Sequence, residues 1–117
     1  MTKEEVRYLL RRYRYISCAI QKEHISAFIS ISGRKERIPI TNDILKFSDT
    51  VLKTLKKVKD DFSRTLLEHW VFQGESDVNI YVRYGISRGT YYTMKEAFVE
   101  RLFCFCIFQG LVTEDEI

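Results

Sequence analysis

The sequence predicts an all-α fold: an amphipathic N-terminal helix followed by a C-terminal helical bundle that contains a helix-turn-helix. Three observations carry this expectation. The 117 residues include only one Pro and five Gly against abundant Leu, Lys, Glu and Arg, a composition that favours helices. Apolar residues recur at three- and four-residue spacing along most of the chain. Ser, Thr, Asn or Asp heads most of these stretches, where a side-chain oxygen can accept from a free amide. With 45% hydrophobic residues there is enough apolar surface for a core. The length suits one domain, or a small domain with an appended arm.

Thr2-Lys3-Glu4-Glu5 reads as a capping box that opens the first helix. Val6, Leu9 or Leu10, Tyr13, Ile16 and Ile20 follow at helical spacing, with Arg7, Arg11, Arg12 and Arg14 on the remaining faces. The helix runs to about Lys22. Beyond it, Ile25, Phe28, Ile29 and Ile31 fit a continued helix about as well as a short strand. Gly33 to Pro39, GRKERIP, is basic and polar; Gly33 can end a helix and Pro39 biases Ile38 away from helical backbone. The expected organisation is therefore an arm over 1–32, a linker over 33–40 and a body over 41–117.

In the body, Thr41 or Asn42 caps a helix presenting Ile44, Phe47, Val51, Leu55 and Val58. Lys59-Asp60-Asp61 interrupts that stripe and caps the next, made of Phe62, Leu66, Leu67, Trp70 and Val71 and ended by Gly74. Ser76 heads a short helix closed by Gly85, and Ser87 heads a last one that can run from Arg88 to Gln109.

Charge is distributed unevenly. Residues 1–37 carry nine Lys or Arg against four acids, 38–75 six against six, and 76–117 four against six, three of the six being Glu114, Asp115 and Glu116. The net +3 does not by itself indicate a nucleic-acid binder. Three cysteines, an odd number with two in an apolar run, argue against a disulfide framework and for reduced thiols. The charged start leads us to expect no signal peptide, and Leu102 to Phe108 is too short to span a bilayer. The expectation is a soluble cytoplasmic protein with no membrane contact.

Ser76 to Phe98, SDVNIYVRYGISRGTYYTMKEAF, carries the functional expectation. A capped short helix, a Gly-Ile-Ser turn and a second capped helix are the sequence form of a helix-turn-helix. Gly85 can take the left-handed turn conformation, Ile86 can plug the turn, and Ser87 leaves the amides of the second helix free to face a phosphate. Tyr91, Met94, Phe98 and Leu102 share one side of that helix and should pack on Ile80 and Tyr84. Recognition helices contact bases from their N-terminal residues. Here those are Ser87, Arg88, Gly89, Thr90, Tyr92 and Thr93, with Lys95 and Glu96 following. Arg88 can donate to guanine, and Thr90, Tyr92 and Thr93 offer hydroxyls and a thymine-methyl contact. An ordinary helical hairpin would produce a similar turn, but a solvated helix start more often carries Glu or Lys than Ser-Arg-Gly-Thr-Tyr-Tyr-Thr.

GISRGTYYTMKEAF resembles the end of sigma-factor region 4 and, more closely, the ArpU/RinA-type late transcription regulators of phages from Gram-positive bacteria. The shared turn, G-x-S-x-x-T-Y-Y-x-x-K-x-x-A-hydrophobic, falls on Gly85, Ser87, Thr90, Tyr91, Tyr92, Lys95, Ala97 and Phe98. The resemblance covers roughly residues 47–105. It implies a transcription regulator, an activator of late phage genes for packaging, structure or lysis, that binds double-stranded promoter DNA and contacts RNA polymerase. The chain departs from the sigma-like pattern at Asn79-Ile80-Tyr81, where a bulky Tyr stands in place of the expected small residue, and in having few Lys or Arg on the last helix. The alternative reading is a non-enzymatic interaction module of a phage or mobile element that binds another regulatory protein.

Other candidates are weighed against plainer roles. Arg11 and Arg12 on the first helix, and Arg34, Lys35 and Arg37 after it, are candidate phosphate contacts, or solvated charges. Phe103, Phe105, Ile107 and Phe108 lie in a segment apolar all round, which must be buried either in a homodimer interface or as a core helix wrapped by the arm. Catalysis is not expected. His24 and His69 are far apart, Cys104 and Cys106 lack metal-ligand spacing, and there is no Gly-rich phosphate loop. No cofactor or metal follows from these residues.

Overall fold

The computed structural model describes residues 1–112, so the acidic tail at Glu114, Asp115 and Glu116 lies outside the described residues. Thr2 caps α1 (Lys3–Arg11), its Oγ1 accepting the Glu5 amide at 3.1 Å. The expected single helix to Lys22 is broken at Arg12, where φ is −108° and ψ 10°. At the break the Arg12 guanidinium donates back to the Tyr8 carbonyl at 3.1 Å and reaches sideways to Glu36 at 2.8 Å. α2 (Tyr13–Gln21) resumes after it. Glu23 ends α2 in the left-handed region (φ 57°), and the His24 amide returns to the Ala19 carbonyl at 2.9 Å.

The fold is mostly helical but not all-α. Residues 26–39 form an antiparallel hairpin of β1 (Ser26–Ile31) and β2 (Arg34–Pro39), which corrects the expected fold class. The stretch read as a linker is thus largely a strand. Ser32 and Gly33, with φ of 50° and 78°, make the two-residue turn whose twist suits a hairpin. Between helix and strand for Ile25 to Ile31, the strand is realised. Ala27, Ile29 and Ile38 face the core, and Phe28 on the opposite face is 73% exposed. β2 has one buried apolar residue, so its pairing depends on β1 and on Glu36, which is held by Tyr8 and Arg12 on α1.

α3 (Asn42–Lys56), capped by Thr41, carries Ile44, Phe47, Val51 and Leu55 inward as the periodicity requires. α4 (Asp61–Val71), α5 (Asp77–Arg83) and α6 (Arg88–Phe108) follow, each with its cap where the sequence puts it: Asp60, Ser76 and Ser87. The main core joins α1, α2 and the hairpin to α3, α4 and the C-terminal half of α6. The N-terminal segment therefore packs on the body. Tyr13, 1% exposed, packs edge-on to Phe47 and tilted to Phe72, with ring centroids 6.3 and 5.8 Å away, and shares a hydrogen bond of 2.9 Å with Ser48. Phe103 is buried beneath Lys3 and Arg7, whose cationic groups lie 4.8 and 5.2 Å from its ring. Among the described residues, no helix is long and apolar enough to cross a membrane.

Candidate nucleic-acid interface

A second, smaller core holds α4, α5 and α6 together. Leu66, Ile80 and Tyr91, one from each helix, are buried at its centre, flanked by Trp70, Tyr84, Ile86 and Met94. The turn between α5 and α6 has the local form the sequence requires. Gly85 takes φ 68°, and the Ile86 amide closes the turn on the Tyr81 carbonyl at 3.1 Å. Ile86 is half-buried against the small core. Ser87 is extended, and its Oγ accepts the Thr90 amide at 3.1 Å and donates to the Thr90 hydroxyl at 2.8 Å.

One carboxylate also bridges α5 and α6. Asp77, in the first turn of α5, accepts from the phenols of Tyr91 at 2.7 Å and Tyr92 at 3.3 Å and from the Lys95 ammonium at 3.0 and 3.1 Å. Burial pushes the Tyr91 phenol well above its ordinary range, and its donation to Asp77 pushes it further, so the ring stays neutral and donating. Tyr92 is shifted in the same direction, by desolvation and then by the Asp77 charge. Lys95 also lies 4.2 Å over the Trp70 ring, tying α4 to the same node.

Expected DNA contacts therefore divide into two groups. Tyr92 and Lys95 are committed to Asp77, and Glu96 pairs with Arg7 of α1 at 3.6 Å. Ser87, Arg88, Gly89, Thr90 and Thr93 are exposed at the start of α6. Arg88 makes no ion pair among the described residues; its guanidinium sits 5.6 Å from the Tyr92 ring. The first turn of α6 contains no acid, whereas those of α1, α3, α4 and α5 each contain at least one. Its free amides are thus unscreened by a local negative charge.

Of the other candidate cations, Arg12 is occupied by Glu36, with its guanidinium also 3.7 Å from the Tyr8 ring. Arg37 is exposed but donates to the Ser26 hydroxyl at 3.1 Å. Arg11, Arg34 and Lys35 are exposed. Arg11 borders a shallow cleft of about 110 Å³ with Arg7, Trp70, Lys95 and Glu96, which brings α1 beside α6. In the apolar C-terminal segment, burial on every side is not realised. Phe103 belongs to the chain's own core and is unavailable to a dimer, Phe105 and Ile107 are half-buried, and Phe108 is 89% exposed.

Two features were not anticipated from sequence. Asp77 reads there only as a first-turn acid, since its partners lie fourteen to eighteen residues away. His69 on α4 shares a hydrogen bond of 2.7 Å with the Tyr84 hydroxyl at the end of α5, while Arg83 pairs at 2.8 Å with Glu75 in the connecting loop. Among the described residues no group of three or more His, Cys, Asp or Glu is placed to hold a metal ion. In comparisons with known proteins, no protein-family model, no curated protein and no solved structure matches this chain.

Proposed function

We propose that the chain is a sequence-specific DNA-binding transcription regulator whose α5 and α6 act as a helix-turn-helix, α6 entering the major groove by its N-terminal end. The observation that carries this reading is the exposed start of α6. There Arg88, Thr90 and Thr93 stand on an acid-free first turn, beside a Gly89 that lets the backbone approach closely. The three-helix packing of α4, α5 and α6 supports it by making α6 a rigid reading element. The resemblance of residues 85–98 to phage late regulators gives the biological sense of the proposal, an activator of late genes working with RNA polymerase in a bacterial host cell.

Arg88 is the base-reading residue of this proposal, and Arg11, Arg34 and Lys35 are the phosphate contacts that remain open. The pairing of Lys95, Tyr92 and Glu96 within the chain favours a second reading, an interaction module that binds another regulator through the same scaffold. Selection from a random duplex library followed by gel-shift titration separates the two. Enrichment of one motif, with Arg88→Ala weakening its binding by roughly 5- to 150-fold while the fold is retained, is the expected result. Absence of a shift with any duplex at low salt would sink the DNA reading.

A further inference from the structure

We propose that the cleft between the C-terminal ends of α3 and α6 docks an acidic segment of another protein that carries an apolar anchor. This surface lies at the far end of α6 from Arg88, about 30 Å along a helix of this length, and does not depend on the DNA reading. Two aromatic rings line it: Phe108, 89% exposed, and half-buried Phe105. Lys53, Lys56 and Lys57 rim the cavity, which encloses about 330 Å³. All three lysines are exposed, and none forms an ion pair among the described residues.

Cations at a helix C-terminus offset its dipole, which accounts for the lysines alone but not for the two aromatic rings that line the same cavity. Together they describe a site that desolvates an apolar side chain while its neighbouring carboxylates meet the rim. A second copy fits poorly, because a two-fold contact through this face would oppose one lysine rim to the other. Duplex DNA offers the lysines phosphates but gives Phe108 no base face to stack on. Phe108 also lies about 140° around the α6 axis from Phe103. Beside Phe103, α1 closes on the core and the Met1 amino group meets the Leu111 carbonyl at 2.5 Å. Gln109 also lines the cleft, and from there the chain turns to the Met1 side, where Leu111 and Val112 are buried in the main core.

The test uses the full chain and a fluorescein-labelled synthetic peptide alternating Glu pairs with Phe-Leu, read by anisotropy, with a Gln-for-Glu peptide as control. The acidic peptide should bind and the Gln peptide should bind about tenfold more weakly or not at all. Lys53→Glu with Lys56→Glu should abolish binding of the acidic peptide and create binding of a Lys-Phe-Leu counterpart, a gain that unfolding cannot mimic. Phe108→Ser should weaken binding of the acidic peptide by about tenfold or more. Equal binding of the two peptides, or binding indifferent to these substitutions, would overturn the proposal. So would concentration-dependent dimerisation abolished by Phe108→Ser, or loss of duplex binding in the lysine variant. Neutralising the tail by Glu114→Gln, Asp115→Asn and Glu116→Gln should leave the peptide affinity unchanged; a tenfold gain would identify the tail as occupant and overturn it too.

Discussion

Asp77 on α5 receives the ammonium of Lys95 on α6 at 3.0 and 3.1 Å, a pair that bridges the two helices beside their buried core. The two side chains are only 25% and 16% exposed, so water screens them little. Asp77→Ala would strand the Lys95 charge and leave the buried Tyr91 hydroxyl without its acceptor. The expected loss is about 2–3 kcal/mol, with a fall in Tm on the order of 10 °C. Asp77→Asn keeps an acceptor and should cost less. A urea midpoint unchanged by Asp77→Ala would show that packing of Leu66, Ile80 and Tyr91 alone holds the three helices.

Gly89 separates stability from recognition. Nothing lies within 4 Å of the position a Cβ would take there, and its backbone is helical. Gly89→Ala should therefore stabilise the chain by roughly 0.5–1 kcal/mol, the helix-propensity difference. On the DNA reading, the added methyl also meets the duplex and weakens the gel shift. A variant both more stable and tighter-binding would show that this turn of α6 does not approach the bases.

The hairpin should loosen from α1 in acid. The hydrogen bond from Arg12, and then that from Tyr8, hold the Glu36 carboxyl below the usual carboxylate range. Its contribution is thus complete above the ordinary carboxylate pKa and is lost as pH falls through the lower, folded value. Urea midpoints measured from about pH 6 down to about pH 3 should fall more steeply for the native chain than for Glu36→Gln. Parallel curves would show that the Arg12–Glu36 pair contributes nothing to the hairpin's docking.

The cysteines should differ in reactivity. Burial pushes the Cys106 thiol up to about 11, while Cys18 and Cys104 are exposed. At neutral pH the buried thiol is protonated and shielded, and thiolate is the reactive form. Iodoacetamide treatment followed by mass spectrometry should add two adducts at Cys18 and Cys104 well before a third. Labelling of Cys106 at the same rate would mean that the C-terminal half of α6 opens readily.

Much of the candidate interface was legible locally. The caps at Thr2, Thr41, Asp60, Ser76 and Ser87 and the left-handed Gly85 depend on residues within three or four positions of one another, and each appears where the sequence locates it. The partners of the recognition candidates were not legible. Lys95 and Tyr92 look free on a helical wheel, because Asp77 reaches them only after the turn folds α5 against α6.

The sequence by itself determined the helices of the body, their caps and the exposed residues that open α6, because capping and amphipathic periodicity are short-range. Tertiary structure alone decided the rest. It broke the first helix at Arg12, turned a polar stretch into β2 through pairing with β1, and drew Phe103 into the core while leaving Phe108 outside. The break at Arg12 and the burial of Phe103 involve partners distant in sequence, such as Glu36 for Arg12 and Lys3 for Phe103, whereas the hairpin pairs residues between Ile31↔Arg34 and Ser26↔Pro39 across one short turn, with its buried face set by the core.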